Sequence, residues 1–472
     1  MSIVSLLLLA GFLVIVLITA RRRTAAFVAG FFIIFPLTYR AIDITYLDLL
    51  GPVYAREVNR FVGGNFAAPL FLYAALAFII PLLVLFPDYG KRLQRLAAKP
   101  APYVAYHRLA ANGALVAGIG ILSLLFANFI YVGTIPILQG IDRLEYERSA
   151  GIIHGGFYNL NFLINFFLGA FTVLPRLNGK AFDLRFALLM VILLMYWVIT
   201  GNRFSVFFVL VSFYFMPVAA VIMAQKTGRI APDALRSVLQ RLIVSRATRV
   251  FGGVAAVLMV GGLVFNSYYN VRDYREPLVE IQERILVQPV QLWANAWERV
   301  DFGEFDDPLN DYALREILDP IDPNRNSTIQ YLMTLELGYF RSRELTEQEQ
   351  SYNGGFPEVH FELFGAWLPL LTLPLVGIIG AWFLSLCLAL LYRNRVVTSV
   401  LGIYLFFGIS LHFTGGMMTF MLTPTYWLKI AAFLIAWIVE SRILGTAAVQ
   451  EKRRALPPPS RGRAGPRAPR PV

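Results

Sequence analysis

Three arginines stand where an apolar chain turns polar. Arg203 lies in "YWVITGNRFSVFF", inside a long and almost purely apolar stretch, and Arg143 and Arg148 lie in "GIDRLEYERSAG". The guanidinium group is a planar fork of donors that matches two phosphate oxygens. Beside Arg203, Gly201 and Asn202 favour a tight turn with exposed backbone amides, which also suits an anion. We therefore expect these arginines to bind a phosphate or pyrophosphate group.

Simpler roles are open for each of these cations. Arg203 at a helix end can extend to the lipid headgroups, and Arg143 and Arg148 can pair with the carboxylates between them. Five positions on a helix separate two side chains by about 140°, so both arginines face one anion only if the helix bends. Lys429, in the last predicted helix, is a further candidate because a buried ammonium without an anion is costly.

The stretch "GGFPEVHFELFGAW" holds three candidates for a general base, Glu358, His360 and Glu362. They fall directly before an apolar helix, at a lipid–water boundary. Such a boundary can move the pKa of a carboxyl or imidazole group towards neutrality, as a general base requires. The sequence leaves the choice among the three open, and an ordinary interfacial hydrogen bond is an equal alternative for His360.

The other chemistry-bearing residues give weaker signals. His412, in "SLHFTGGMMT", is expected to serve packing or interhelical hydrogen bonding, and no partner for His154 can be named. Four scattered histidines and the single Cys387 contain no zinc-binding pattern, so no metal is expected. The chain has no phosphate-binding loop, which disfavours an ATP-driven function.

The elements that must position these residues are membrane helices. The chain is 57% hydrophobic and 15% charged, with a mean hydropathy of +0.60, which predicts an all-α polytopic membrane protein. A bilayer core about 30 Å thick needs roughly 20 apolar residues per helix. Eleven segments are predicted to span it: 3–20, 24–39, 66–86, 111–132, 157–174, 186–200, 204–223, 250–266, 363–391, 397–416 and 424–441.

Basic residues recur in every second loop, which predicts an outer N-terminus and an inner C-terminus. The predicted organisation is eight helices in 1–265, a large structured outer loop in 266–362, three helices in 363–442 and a disordered basic inner tail in 443–472. The net charge of +12 is explained by inner loops and tail that face anionic lipid, so nucleic-acid binding is not expected.

From about residue 110 to 440 the chain resembles the bacterial O-antigen and oligosaccharide repeat-unit polymerases (Wzy type), relatives of the O-antigen ligases. The resemblance lies in "GTIPILQGIDRLEYERSAG", in the "TGNRF" turn and in one large outer loop before the closing helices. In that family, arginines recur at the positions that match Arg143 and Arg203. The ligase branch uses a histidine of its large loop, for which His360 is the local candidate.

The resemblance implies a glycosyltransferase of the inner membrane whose active site faces the periplasm. It implies undecaprenyl-pyrophosphate-linked oligosaccharides as donor and acceptor, and a chain-length regulator as a possible partner. Such a donor is already activated, so no cofactor and no metal are expected. The alternatives are an O-antigen ligase and, from another class, a lipid-linked oligosaccharide flippase or polysaccharide exporter.

Overall fold

The structure is a computed structural model that describes residues 2–56, 58–85, 105–139, 141, 143–201, 204–228, 230, 283–301, 328–347, 354–417, 421 and 423–455. Over these residues the chain is almost entirely helical. The helices and strands, in chain order, are α1 Ser2–Arg22, α2 Thr24–Leu50, β1 Val53–Ala55, β2 Arg60–Val62, α3 Ala68–Leu85, α4 Ala105–Val132, α5 Pro136–Gln139, α6 Arg143–Asn159, α7 Asn161–Leu177, α8 Leu184–Ile199, α9 Phe204–Phe215, α10 Val218–Lys226, α11 Gln288–Asp301, α12 Thr328–Leu337, α13 Tyr339–Glu347, α14 Glu358–Phe364, α15 Pro369–Tyr392, α16 Val396–Gly415 and α17 Pro424–Ala455.

Seven described helices are long and apolar enough to cross a membrane, or eight if the bent pair Tyr146–Asn159 and Asn161–Leu177 forms one span. The chain is therefore a multi-pass helical membrane protein. Of the eleven predicted spans, 250–266 lies outside the described residues, and α8 is a shorter apolar helix of 16 residues. Helix α17 is long enough, but charged side chains lower its apolar character: Lys429, Glu440 and Arg442. The number eleven stays a prediction.

The long helices run back and forth, so their turns gather at two ends of the bundle. At the first, which we call the basic end, Asn178 and Asn394 exchange side-chain amide hydrogen bonds of 2.9 and 2.8 Å. The hydroxyls of Thr227 and Tyr392 lie 2.9 Å apart there. The basic residues of the turns at this end are Arg21, Arg22, Arg23, Arg176, Lys180, Arg185, Lys226, Arg393 and Arg395. The side of the membrane that this end faces stays a prediction.

At the opposite end, which we call the capped end, α2 runs on past its predicted limit at residue 39. Residues 40–65, expected to be an outer loop, are instead the last turns of α2 and an antiparallel β-hairpin. The reason lies in Asp48, whose carboxylate accepts hydrogen bonds from the backbone N–H groups of Ala67 and Ala68 at 3.1 and 3.0 Å. Because these N–H groups begin α3, one side chain fixes both helix ends.

The described parts of the predicted large loop fold over the capped end as α11, α12 and α13. Pro289 lies in the first turn of α11. Proline is tolerated there because the backbone N–H groups of the first turn have no acceptor within the helix. The buried indole of Trp293 donates to the Ala67 carbonyl oxygen at 2.9 Å, so α11 is anchored where α3 begins.

The predicted span 363–391 is divided in the structure. A short buried helix, α14, ends at Gly365, whose φ of 75° is readily adopted only by glycine, and α15 starts at Pro369. This break lets α14 lie among the helix ends instead of continuing into α15.

Candidate functional site

Two glycine pairs hold α14 against the end of α16. Gly355 and Gly416 have φ values of 119° and 66°, and their backbones touch. A Cβ atom on Gly416 would overlap the carbonyl group of Gly355, and one on Gly355 would overlap that of Gly415. The motifs "GGFP" and "TGG" therefore bring His360 and His412 to the same place.

Glu358, at the start of α14, is held by a buried arginine from α2. Arg40 lies 3.2 Å from the Glu358 carboxylate, and the two side chains are 5% and 0% exposed. Arg40 also donates to the carbonyl oxygens of Pro289, at 2.8 Å, and Phe356. The Gly355 N–H donates to the same carboxylate at 2.5 Å. This ion pair fixes α14 to α2 and α11 at once.

Arg40 is the functional candidate that the sequence did not identify. The one sequence signal for it is a charge directly after the predicted apolar span 24–39. One helical turn further along α2, Asp43 is fully buried, and its carboxylate oxygens have no hydrogen-bond partner among the described residues. The charge of Arg40 acts on this carboxylate as well.

Glu362, the other predicted carboxylate, forms a salt bridge with Arg299 of α11. Its side chain is 6% exposed. Each of the two carboxylates is thus engaged by an arginine in the structure. Taking up a proton would weaken a buried ion pair and leave an arginine without its counter-charge. This arrangement favours a positioning role for Glu358 and Glu362.

His360 has the geometry of a base. Its Nε2 lies 2.7 Å from the Thr372 hydroxyl oxygen, and that hydroxyl donates to the Leu368 carbonyl oxygen at 3.1 Å. The hydrogen-bond pattern therefore assigns the proton of the neutral ring to Nε2 and leaves a lone pair on Nδ1. Nδ1 is buried and has no hydrogen-bond partner in the described part of the chain.

The surroundings of His360 keep its imidazole neutral. Burial and, to a smaller extent, nearby His412 together lower the pKa of His360 to about 2. Burial has this effect because a charged ring loses its hydration in an apolar place. Nδ1 is thus unprotonated throughout the working range of pH, but this pKa lies far below neutrality and not near it, where the pKa of a general base is expected.

His412 of α16 lies beside it. The two imidazole centroids are 5.0 Å apart with planes at 62°, and His412 is completely buried. The rings of Phe356 and Phe413 pack on His412 at 5.8 and 5.2 Å. We call Arg40, Glu358, His360, Thr372 and His412 the paired-histidine site.

A cavity of about 540 Å³ lies between residues of α3, α11 and α15, and no residue of the paired-histidine site lines it. Its lining is apolar or aromatic and consists of Phe66, Pro69, Leu70, Tyr73, Trp297 and Leu370. Leu370 and Thr372 both lie in the first turn of α15, and Trp297 and Arg299 both belong to α11. The cavity suits a hydrocarbon chain.

Only some of the predicted anion-binding residues lie within the described part of the chain. Arg203 and Asn202 lie outside the described residues, and Arg143 begins α6 without a described side chain. Arg148 is exposed. Helix α6 bends at Gly151, whose φ and ψ of 66° and −164° are not helical. This bend lies after both Arg143 and Arg148, so it does not turn the two side chains towards one anion.

A second buried cluster, which we call the His154 cluster, ties α6 to the end of α8. His154 Nδ1 lies 2.7 Å from the Tyr196 hydroxyl, and Tyr146 and Trp197 pack edge-on against the ring at 5.0 and 5.4 Å. Trp197 donates to the Asn161 side-chain oxygen at 3.1 Å. The cluster brings the segment that carries Arg143 and Arg148 close to the residues that lead into the Thr200 turn.

Lys429 is not gathered with the histidines. Its ammonium lies 4.1 Å from the ring centroid of Tyr404. Tyr404 is eight residues before His412 on α16, which corresponds to about 12 Å along the helix. A cation–π contact therefore accounts for at least part of its environment.

Within the described residues, no group of three histidine, cysteine or acidic side chains is arranged to hold a metal ion. The fold and the site thus define a multi-pass helical membrane protein with a buried pair of imidazoles at its capped end. A family model described as a family of unknown function (DUF6418) matches residues 322–429, a segment that contains both His360 and His412. Neither the curated proteins nor the solved structures gave a match to the chain.

Proposed function

We propose that this protein is a membrane-embedded glycosyltransferase that polymerises undecaprenyl-pyrophosphate-linked repeat units into a surface polysaccharide. The observation that supports it most is His360. It is a neutral imidazole at the end of a helical bundle, with Nε2 engaged by Thr372 and the Nδ1 lone pair unused among the described contacts. A sugar hydroxyl that attacks an activated donor needs such a proton acceptor.

The reaction is a displacement at the anomeric carbon of the growing chain. The proton of the acceptor hydroxyl moves to His360 Nδ1 while its oxygen bonds to that carbon. The bond from the carbon to the carrier pyrophosphate breaks, and its electron pair leaves with the diphosphate. A bound pyrophosphate also raises the proton affinity of a neighbouring imidazole, since a negative charge favours the protonated ring. General base catalysis of this kind contributes about 10² to 10⁴ in rate.

Glu358 and Glu362 hold α14 in place in this account. Their ion pairs with Arg40 and Arg299 fix both ends of a helix of seven residues. A base must be held within a fraction of an ångström of its productive position. The two carboxylates therefore act on the reaction through the position of His360.

Arg143, Arg148 and Arg203 are proposed to receive the leaving pyrophosphate. Their residue type supports this, because the planar guanidinium fork matches two phosphate oxygens. Cations aimed at a developing anion in a site without water contribute several kcal/mol.

The apolar cavity beside Trp297 is proposed to take part of a polyprenyl chain. The basic end is proposed to face the cytoplasm, because positive residues are retained on that side. The capped end, with the paired-histidine site, then faces the periplasm in the bacterial inner membrane.

The test is a gene deletion complemented with His360→Asn, Glu344→Gln or the unchanged chain. Glu344 is an exposed residue of α13 paired with Arg341, so its replacement is a control. We expect the deletion and H360N to leave glycans of a single repeat unit, seen by gel electrophoresis, and E344Q to restore long chains. Normal chain lengths in the deletion would refute the proposal. Lipid-linked units trapped on the cytoplasmic side would show an exporter instead.

A further inference from the structure

His412 is a polar side chain in a place built for an apolar one. It lies in the last turns of α16, is 0% exposed and is packed against two phenylalanine rings. Neither ring nitrogen has a hydrogen-bond partner among the described residues.

This state is unfavourable for an imidazole. A neutral ring carries one N–H donor and one nitrogen acceptor. Buried polar groups almost always find partners, and leaving two unmet destabilises the fold. An apolar side chain has no donor or acceptor to leave unmet, so packing alone does not explain a histidine here.

The two ring nitrogens of His412 lie next to another ring nitrogen that lacks a hydrogen-bond partner among the described residues. His360 Nδ1 is also buried without a described partner, and the two ring centroids are 5.0 Å apart. One hydroxyl group can satisfy both rings, because it donates its hydrogen to one nitrogen and accepts an N–H from the other.

We propose that His360 and His412 together bind a single sugar hydroxyl. His412 donates its N–H to the hydroxyl oxygen, and His360 Nδ1 accepts the hydroxyl hydrogen. The inference rests on the proposed function, which makes this hydroxyl the attacking group of the acceptor. His412 thereby orients the oxygen lone pair that forms the new bond.

The experiment compares His412→Asn, His412→Gln and His412→Leu with His360→Asn. Asn and Gln each place an N–H donor near one of the two ring nitrogens, whereas Leu fills the space without one. The substrate is the lipid extract of the deletion strain, in which the unpolymerised lipid-linked units collect. Polymer formation is followed in membranes that contain equal amounts of each variant, verified by size-exclusion chromatography in detergent.

We expect H412L to lower kcat about tenfold or more, the loss of one hydrogen bond. Asn or Gln should recover most of that rate, which a merely structural role would not produce. Full activity of H412L alongside an inactive H360N would overturn this inference and leave the proposed function intact. If H360N is active as well, the role of His360 as the base fails too, whereas the polymerase function itself is refuted by normal chain lengths in the deletion strain. Equal loss in all three His412 variants would assign packing instead.

A second measurement does not depend on any variant folding. The chain has four histidines, so ¹⁵N-histidine labelling gives a spectrum of four residues. Addition of the same lipid extract to protein in nanodiscs should shift the resonances of His360 and His412 and leave those of His154 in place. Shifts at His360 without shifts at His412 would contradict the paired binding.

Discussion

Two clusters of this protein each bury a histidine, and they differ in what the rings have left to bind. In the His154 cluster, Tyr196 takes Nδ1, aromatic side chains surround the ring, and Nε2 alone is buried without a hydrogen-bond partner among the described residues. In the paired-histidine site, three ring nitrogens of His360 and His412 lack a partner among the described residues. Unused hydrogen-bonding capacity in a buried place points to a ligand, so the second cluster is the better candidate for chemistry.

The two clusters also differ in the charged side chains around them, and this difference again favours the paired-histidine site. Arginine–carboxylate pairs stand at both ends of α14, beside His360. The described contacts of His154 are with tyrosine and tryptophan side chains. Fixed charges can stabilise a reaction that separates charge, whereas an aromatic box chiefly holds helices together.

The largest effect is expected from Arg40→Leu. The substitution leaves Glu358 buried without its cation, and breaking such a pair costs about 3–5 kcal/mol. We expect a marked fall in the thermal unfolding temperature in detergent and loss of polymer. The double variant R40L/E358Q removes the unpaired charge and should regain part of the stability. An R40L protein as stable as the unchanged chain would show that the ion pair does not hold α14.

The glycine contact offers a matched pair of variants. Gly416→Ala puts a Cβ into the Gly355 backbone, at a φ of 66° that alanine rarely adopts, whereas a Cβ on Gly415 meets nothing closer than 3.9 Å. We expect G416A to separate His412 from His360 and abolish polymer, while G415A stays near normal. Equal activity of the two variants would mean that the close approach is not needed.

The cap above the paired-histidine site should respond to pH through Glu336. Burial raises the pKa of Glu336 to about 7, although Arg60, Asn295 and Arg299 oppose the shift. Because this pKa exceeds that of the unfolded chain, the folded protein holds the proton more tightly, and stability falls as pH rises through about 7. We expect the unfolding temperature to drop between about pH 5 and pH 8.

The control for this pH effect is Glu336→Gln, which has no proton to lose. Its unfolding temperature should change less over the same range. A wild-type profile that rises with pH, or an unchanged profile in E336Q, would contradict the assignment to Glu336.

The smallest effect is expected from Tyr196→Phe. It removes the hydrogen bond to His154 without changing the aromatic packing, so stability should fall by about 1 kcal/mol. Polymer length should stay normal. A complete loss of polymer in a folded Y196F protein would move the chemistry to the His154 cluster and reverse the comparison.

Much of the helical architecture could be predicted from composition and apolar runs, since each helix in lipid must be apolar along its length. Two features of the fold could not be predicted in this way. The continuation of α2 to Leu50 depends on Asp48, whose partners at Ala67 and Ala68 come from the next helix. The break between α14 and α15 depends on the backbone of Gly365, and an apolar run gives no sign of it.

The candidate site could be predicted from the sequence only in part, because the roles of its residues depend on contacts between distant segments. The residue types of "GGFPEVHFELF" predict chemistry in this stretch, and the structure buries Glu358, His360 and Glu362 on one short helix. Their different roles depend on Arg40, Arg299 and His412, which lie far away in the sequence. The residue types in this segment do not show which of its side chains will form an ion pair with an arginine that is distant in the sequence. The roles predicted for Arg143, Arg148 and Arg203 stay predictions.

The most direct test of the comparison replaces one histidine in each cluster. His360→Asn and His154→Asn change the same side chain in equally inaccessible places, at equal amounts of folded protein in the membrane. We expect single repeat units from H360N and long polysaccharide chains from H154N, read on one gel. Long chains from H360N, or single units from a folded H154N alone, would contradict it.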